Sequence, residues 1–289
     1  MLFRHAKKSL SLPTLTHLYS LQYLGTTEVF GLQELADNIS IMGPRTVAVA
    51  SNVVFWMGLD KFYMYDGRVQ TLPCTLRQFV FEDINISLAN SVIAGNNERF
   101  NEIWWFYASG NSTWVNRYVV YNYAEQIWYY GNLGRTAWLD AASRSLPVAV
   151  YTDEDQNPGN AYLQEFGIDA DGEPLESFIQ SSDFDITDGD GEKFMLSRRV
   201  IPDINFTSST AEQPQVELEI RSRNFPGSRF QNDPSDSKYV VQTTVDNFTD
   251  QVFIRARGRQ MALKIASDTL GVQWQLGDPR LDVRPDGRR

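Results

Sequence analysis

Apolar and polar positions alternate most tightly between Val53 and Pro73, VVFWMGLDKFYMYDGRVQTLP. Apolar Val53-Val54-Phe55-Trp56 meets a polar break at Gly58-Leu59-Asp60-Lys61, and Phe62-Tyr63-Met64-Tyr65 then runs to Asp66-Gly67. Asp-Gly between hydrophobic runs supplies the positive φ of a tight turn, so the chain is expected to double back there. Val69 to Leu72 follows as a third strand. One antiparallel module is written in about twenty residues, close to the length three short strands need.

The same grammar returns downstream. Glu102-Ile103-Trp104-Trp105-Phe106-Tyr107 is followed by a Ser/Gly/Asn loop, then Arg117 to Tyr123, then Ile127-Trp128-Tyr129-Tyr130-Gly131. A fainter copy is Val148 to Tyr151, a polar loop, and Ala161 to Gly167. Apolar strand, loop, aromatic strand, polar turn and strand recur at a spacing of roughly 40 to 55 residues, the period of propeller blades. The expected organisation is an irregular segment over 1–25, β-propeller blades over 26–181 and a small antiparallel β-sandwich over 182–289. The fold class is all-β, a partial or composite propeller followed by that sandwich.

Within this frame Met1 to Pro13 is expected to be exposed and loosely ordered. The first blade begins in mid-pattern with no closing strand upstream, which implies a ring completed by another chain or by a missing half. The best helix candidate is the short stretch Gly31 to Asn38, whose 3.6-residue period is weak. Beyond Ser181 the texture changes: Val216-Glu217-Leu218-Glu219-Ile220-Arg221 has the period of two of a strand with one face in a core, and Lys238 to Val245 and Val252 to Ile265 add further strand-like runs.

Composition sharpens the picture. Hydrophobic residues make up 42% of 289 and aromatics 13%, with seven Trp and thirteen Tyr, enough for packed sheets. The formal charge of −10 argues against gripping nucleic acid by neutralising phosphates, while leaving room for a wall that nucleic acid slides past. A single cysteine, Cys74, excludes an internal disulfide and reads as a small buried or half-buried hydrophobe. Pro13, Thr14, Thr16 and His17 interrupt any signal-peptide core, and no run approaches a membrane span; no membrane anchor is expected, and synthesis in the cytoplasm is. The sequons at Asn38, Asn85, Asn111, Asn205 and Asn247 are then read as polar turns.

Catalytic chemistry is thin. With only His5 and His17, a Ser-His-Asp relay or a histidine zinc site has almost nothing to draw on, and glycine-rich phosphate loops are absent. Acidic residues crowd Tyr151 to Glu192, yet Asp185-x-x-Asp188-Gly189-Asp190-Gly191-Glu192 does not meet the EF-hand spacing, so solvated turns are preferred to calcium. No catalytic, metal or cofactor residue is therefore assigned. The acidic composition leaves one enzymatic alternative, a glycosidase with paired carboxylates, or a carbohydrate-binding propeller with exposed aromatics. In Phe253-Ile254-Arg255-Ala256-Arg257-Gly258-Arg259, Arg255, Arg257 and Arg259 share one side of a strand; they are read either as a solvated face or as a contact with the acidic surface of a neighbouring subunit.

Val53 to Cys74, FNEIWWFY (Phe100 to Tyr107), RYVVYNYAEQIWYYGNLGRTAWLD (Arg117 to Asp140), RARGRQMALKI (Arg255 to Ile265) and the terminal LDVRPDGRR resemble the packaged-DNA stabilisation or tail nozzle proteins of short-tailed bacteriophages. The resemblance runs from about Thr26 to Arg289. It implies a virion structural protein of the head-tail connector region, a propeller with added β domains. Copies would form a ring, typically of six, below the portal and adaptor. Its partners would be copies of itself, the adaptor or other tail proteins, and packaged double-stranded DNA that passes through without sequence-specific binding and is held until ejection.

Overall fold

The computed structural model describes residues 3–5, 9–13, 16–25, 29–141, 145–151, 159–187, 191–225 and 240–287. The chain is almost wholly antiparallel β and divides into two compact units, Met1–Phe166 and Gly167–Arg289.

The first unit is a succession of small antiparallel meanders. Strands β1 (Phe3–His5), β2 (Ser9–Pro13), β3 (Leu18–Tyr23) and β4 (Phe30–Ala36) form the first four-stranded sheet. The second has β5 (Val47–Ala50), β6 (Val53–Met57), β7 (Phe62–Tyr65) and β8 (Val69–Leu72) in chain order. Helix α1 (Arg77–Asp83) leads to the third, of β9 (Ile93–Asn97), β10 (Glu102–Tyr107), β11 (Arg117–Asn122) and β12 (Ile127–Asn132). A three-stranded sheet of β13 (Ala137–Leu139), β14 (Val148–Val150) and β15 (Ala161–Leu163) closes the series. Expected hairpins are present, with Tyr65 opposite Val69 and Gly67 at a φ of +127° in the turn.

The two middle sheets are buried on both faces, and strand alternation explains how. Successive side chains of a strand point to opposite sides. On β6, Val54 and Trp56 enter a core with Leu18 of β3, while Phe55 and Met57 enter a different core with Trp105 and Tyr107 of β10. On β10, Ile103, Trp105 and Tyr107 face β6, whereas Phe106 and Trp104 face Trp138 of β13. Blades stacked this way need apolar residues at both parities, which is why these strands read as continuous aromatic runs. Burying one such side chain, for example Phe62 at 0% exposure, contributes about 1.5–3 kcal/mol.

Two expectations are corrected. Gly31 to Asn38 is not helical; Phe30–Ala36 is β4, paired with β3 from Tyr23↔Phe30 to Leu18↔Ala36. The described residues of the 1–25 segment are not irregular, since β1 and β2 join β3 in the first sheet, so the first blade-like unit also has strands upstream. Helix α1 buries one side chain, Val80, in the core and is held by Arg77, which donates from Nε to the Asp60 carbonyl at 2.7 Å.

The second unit opens with a ladder of β16 (Asp169–Ala170) and β17 (Glu173–Pro174), then β18 (Ser177–Gln180), β19 (Met195–Ile201), β20 (Ile204–Asn205), β21 (Gln215–Arg223), β22 (Val240–Asp246), β23 (Val252–Gly258), β24 (Gln260–Ser267), β25 (Gln275–Leu276) and β26 (Arg280–Pro285). Sheet β18-β24-β21-β22 packs on sheet β23-β19-β26. Leu218, Ile220, Met261 and Ile265 from one meet Met195, Val200, Ile254 and Ala256 from the other, the expected sandwich. The division falls after Phe166 instead of Ser181 because Ser177–Gln180 pairs with β24, from Ser177↔Ser267 to Gln180↔Lys264. Of the crowded acidic residues, Asp153, Glu154, Asp155, Asp188 and Asp190 lie outside the described residues, and so do Lys238 and the terminal arginines. Among the described residues no three His, Cys, Asp or Glu are grouped to hold a metal, and no helix is long and apolar enough to cross a membrane.

Candidate functional site

The three arginines singled out in the sequence separate in the fold. Strand β23 alternates buried and exposed, so Arg255 and Arg257 share its outer face with Phe253. The strand ends at Gly258, and Arg259 lies beyond it, half-buried, its backbone N–H donating to the Arg223 carbonyl at 2.9 Å. Arg257 pairs through Nε with Asp286 at 2.5 Å and lies over the Phe194 ring at 4.1 Å; Arg259 lies over the same ring at 4.9 Å. Two of the three are therefore engaged within their own unit.

Arg255 belongs to a different group. Antiparallel register sets Leu196 of β19 beside Arg257 and Arg284, and Arg199 beside Phe253 and Asp282, across a bulge between Ser197 and Arg199. A bulge re-aims a side chain. The result is a trough of about 660 Å³ lined by Arg198, Arg199, Arg255 and Arg284, with Leu196 and Phe253, and a single carboxylate, Asp282. Among the described residues one ion pair lies on this rim, Arg284 to Asp282 at 3.5 Å with the arginine 61% exposed, so little of the positive charge is neutralised there. Sequence reasoning caught Arg255 and missed Arg198, Arg199 and Arg284, which come from strands far apart in the chain.

In the first unit the fold assembles a carboxylate cluster that no spacing announces. Glu102, 9% exposed at the start of β10, accepts from Tyr129 Oη at 2.6 Å, Trp104 Nε1 at 3.0 Å and Asn97 Nδ2 at 3.3 Å. The same Asn97 amide donates to Glu165 at 3.1 Å. Partial burial, and then the Glu102 charge, raise the Glu165 carboxyl above its ordinary value, while the Asn97 bond opposes them. Burial first and the bond to Glu102 second also keep the Tyr129 phenol protonated well beyond the usual range. Three donors from β9, β10 and β12 thus tie one carboxylate into the sheet.

No family model matches this chain, and no curated protein matches it. Among solved structures it is similar to an exo-β-1,3-galactanase from Phanerochaete chrysosporium, determined with galactose, at 7% identity and a TM-score of 0.25, over 93% of this chain and 75% of that one. A likeness at that level carries no argument about fold or activity. The chemistry of the two groups stands on their own geometry: an open cationic face in the second unit, and an internally satisfied carboxylate pair in the first.

Proposed function

We propose that this chain is a structural protein of a phage tail, a nozzle or head-tail stabilisation component that builds part of a ring continuing the DNA channel. The observation that carries the reading is the double-faced burial of β6 and β10, where adjacent Trp104 and Trp105 serve different inter-sheet cores. Such stacking makes a stiff wall, because close-packed interiors resist deformation. The resemblance of the same segments to tail nozzle proteins points the same way. A chain of charge −10 suits a conduit that must release its cargo, since lysine and arginine contacts to phosphate are what create salt-sensitive retention.

The test is immunogold labelling of intact short-tailed particles with antibody raised against the full chain, together with mass spectrometry of the purified particles. Gold at the tail and the chain's peptides in the particle are expected. Their absence from particles overturns the reading.

A second reading, a tail-associated glycosidase, is favoured by one feature: Asn97 bridges Glu102 and Glu165. Paired carboxylates are what glycoside hydrolysis uses. Release of reducing ends from host surface polysaccharide, lost in Glu165→Gln, would establish it in place of the structural role.

A further inference from the structure

The second unit carries a basic trough and, on the same sandwich, its acidic counterpart. Beside the ends of β19, β22 and β26 a hollow of about 410 Å³ is lined by Asp203, Asp246, Asp250 and Asp278, with Arg280 the one cation among the described residues. From its edge projects the turn between β22 and β23, Asp246-Asn247-Phe248-Thr249-Asp250. Phe248 is 90% exposed at the tip of that turn.

An exposed aromatic is costly to leave in water and valuable to bury at an interface. The turn that presents it is already fixed. Asp246 Oδ1 accepts from the Phe248 N–H at 3.0 Å and from Thr249 Oγ1 at 2.6 Å, and the Thr249 hydroxyl accepts from the Asp246 N–H at 3.1 Å. A preorganised knob loses little conformational freedom on docking. Its chemistry is a phenyl ring flanked two residues either side by carboxylates. The trough offers the complement: Leu196 and Phe253 as apolar lining, with four guanidinium groups against one carboxylate.

We propose that the Phe248 turn of one copy seats in the arginine-lined trough of a second copy. Asp246 and Asp250 would face Arg198, Arg199, Arg255 and Arg284, while the ring packs on Leu196 and Phe253. Knob and trough are different surfaces, so the contact repeated in one sense from copy to copy is head-to-tail, which closes into a ring or runs on as a filament. The charge of −10 disfavours a polyanion such as nucleic acid as the occupant, because the chain as a whole repels it. The proposal deepens the assembly reading above and rests on it for the setting in which copies meet.

Sedimentation velocity of the full chain tests it, using wild type, Phe248→Ala, Arg255→Glu, Asp250→Arg and an equimolar mixture of the last two. Wild type is expected to self-associate, less so at about 0.5 M salt, where exposed charges are screened. Phe248→Ala, with an unchanged melting curve, is expected to weaken association about thirtyfold, the loss typical of a central aromatic anchor. Each charge reversal alone is expected to give monomers, and the mixture to associate again, because the reversed knob meets the reversed trough. Wild type that stays monomeric, or variants that associate as wild type does, overturn the proposal. So does a random-sequence oligonucleotide that binds wild type and not Arg255→Glu, which would make the trough a nucleic-acid site. Particle labelling stands apart from these outcomes, so the structural reading can survive the loss of this contact.

Discussion

Trp104 and Trp105 are neighbours on one strand and belong to different cores. Trp105 is 0% exposed, donates from Nε1 to the Thr46 carbonyl at 2.9 Å and stacks near Trp128 at 5.9 Å. Trp104 points the other way, donating to Glu102 and lying 6.0 Å from Trp138 at an interplanar angle of 20°. Trp105→Ala opens a cavity in the larger core and is expected to cost about 3–5 kcal/mol. Trp104→Ala, only half-buried, is expected to cost less. Urea unfolding of the two variants side by side checks the order, and equal losses would contradict it.

Gly95 of β9 lies against the face of Trp138. A β-carbon built there would sit 2.5 Å from Trp138 Cδ1, closer than packed atoms approach. Gly95→Ala is therefore expected to destabilise by about 1–3 kcal/mol through overpacking. If the ring is the obstacle, the loss shrinks in a Trp138→Leu background, and a double-mutant cycle by denaturant titration reads a coupling above about 0.5 kcal/mol. Additive losses would place the strain elsewhere.

What could be read from the sequence follows from how each element buries itself. Strands β6, β7, β10 and β11 were legible because both of their faces are covered, so aromatic and β-branched residues fill most positions and the intervening turns stand out. Helix α1 left no trace because Val80 is its one buried side chain, with the adjacent Phe81 half-buried against the same core, which gives no 3.6-residue period to detect. The change of unit after Phe166 was hidden for a related reason: Ser177–Gln180 is short and largely exposed, and its partner β24 lies far along the chain. Asn247-Phe248-Thr249 read as a sequon, and nothing local told that its phenyl ring would stand in solvent. Arg198, Arg199, Arg255 and Arg284 are brought together only by the register of three strands, and pairing between distant strands is what a one-dimensional pattern leaves open.

Two ion pairs of the second unit should differ sharply in worth. Glu219 is 8% exposed and accepts from Arg221 at 2.7 Å, with Lys264 Nζ at 3.7 Å from its other oxygen. Glu219→Ala strands two partly buried cations, and a loss of about 3 kcal/mol is expected. Asp286 meets Arg257 in a pair whose side chains are 44% and 43% exposed. Asp286→Ala is expected to cost no more than about 1 kcal/mol, since water and salt already screen that pair. Thermal melts at low and high salt separate them: added salt should shrink the Asp286 effect and leave most of the Glu219 effect.

Cys74 supplies a pH-dependent test of the larger core. It packs at the edge of that core after β8, where burial, opposed by a backbone bond at Leu76 and by the Arg77 charge, raises its thiol from 9.0 to about 11. The fold thus favours the neutral thiol. This contribution to stability is fully present below the unfolded value and is lost as pH rises from about 9 through about 11. Only the thiolate attacks an alkylating reagent, so at pH 8 the folded protein should react about a hundredfold more slowly than the urea-unfolded chain on thiolate fraction alone. Iodoacetamide labelling followed by mass spectrometry across the alkaline range should give a folded-state midpoint near pH 11. A midpoint that coincides with the unfolded control would mean that Cys74 is solvated and that the core ends before it.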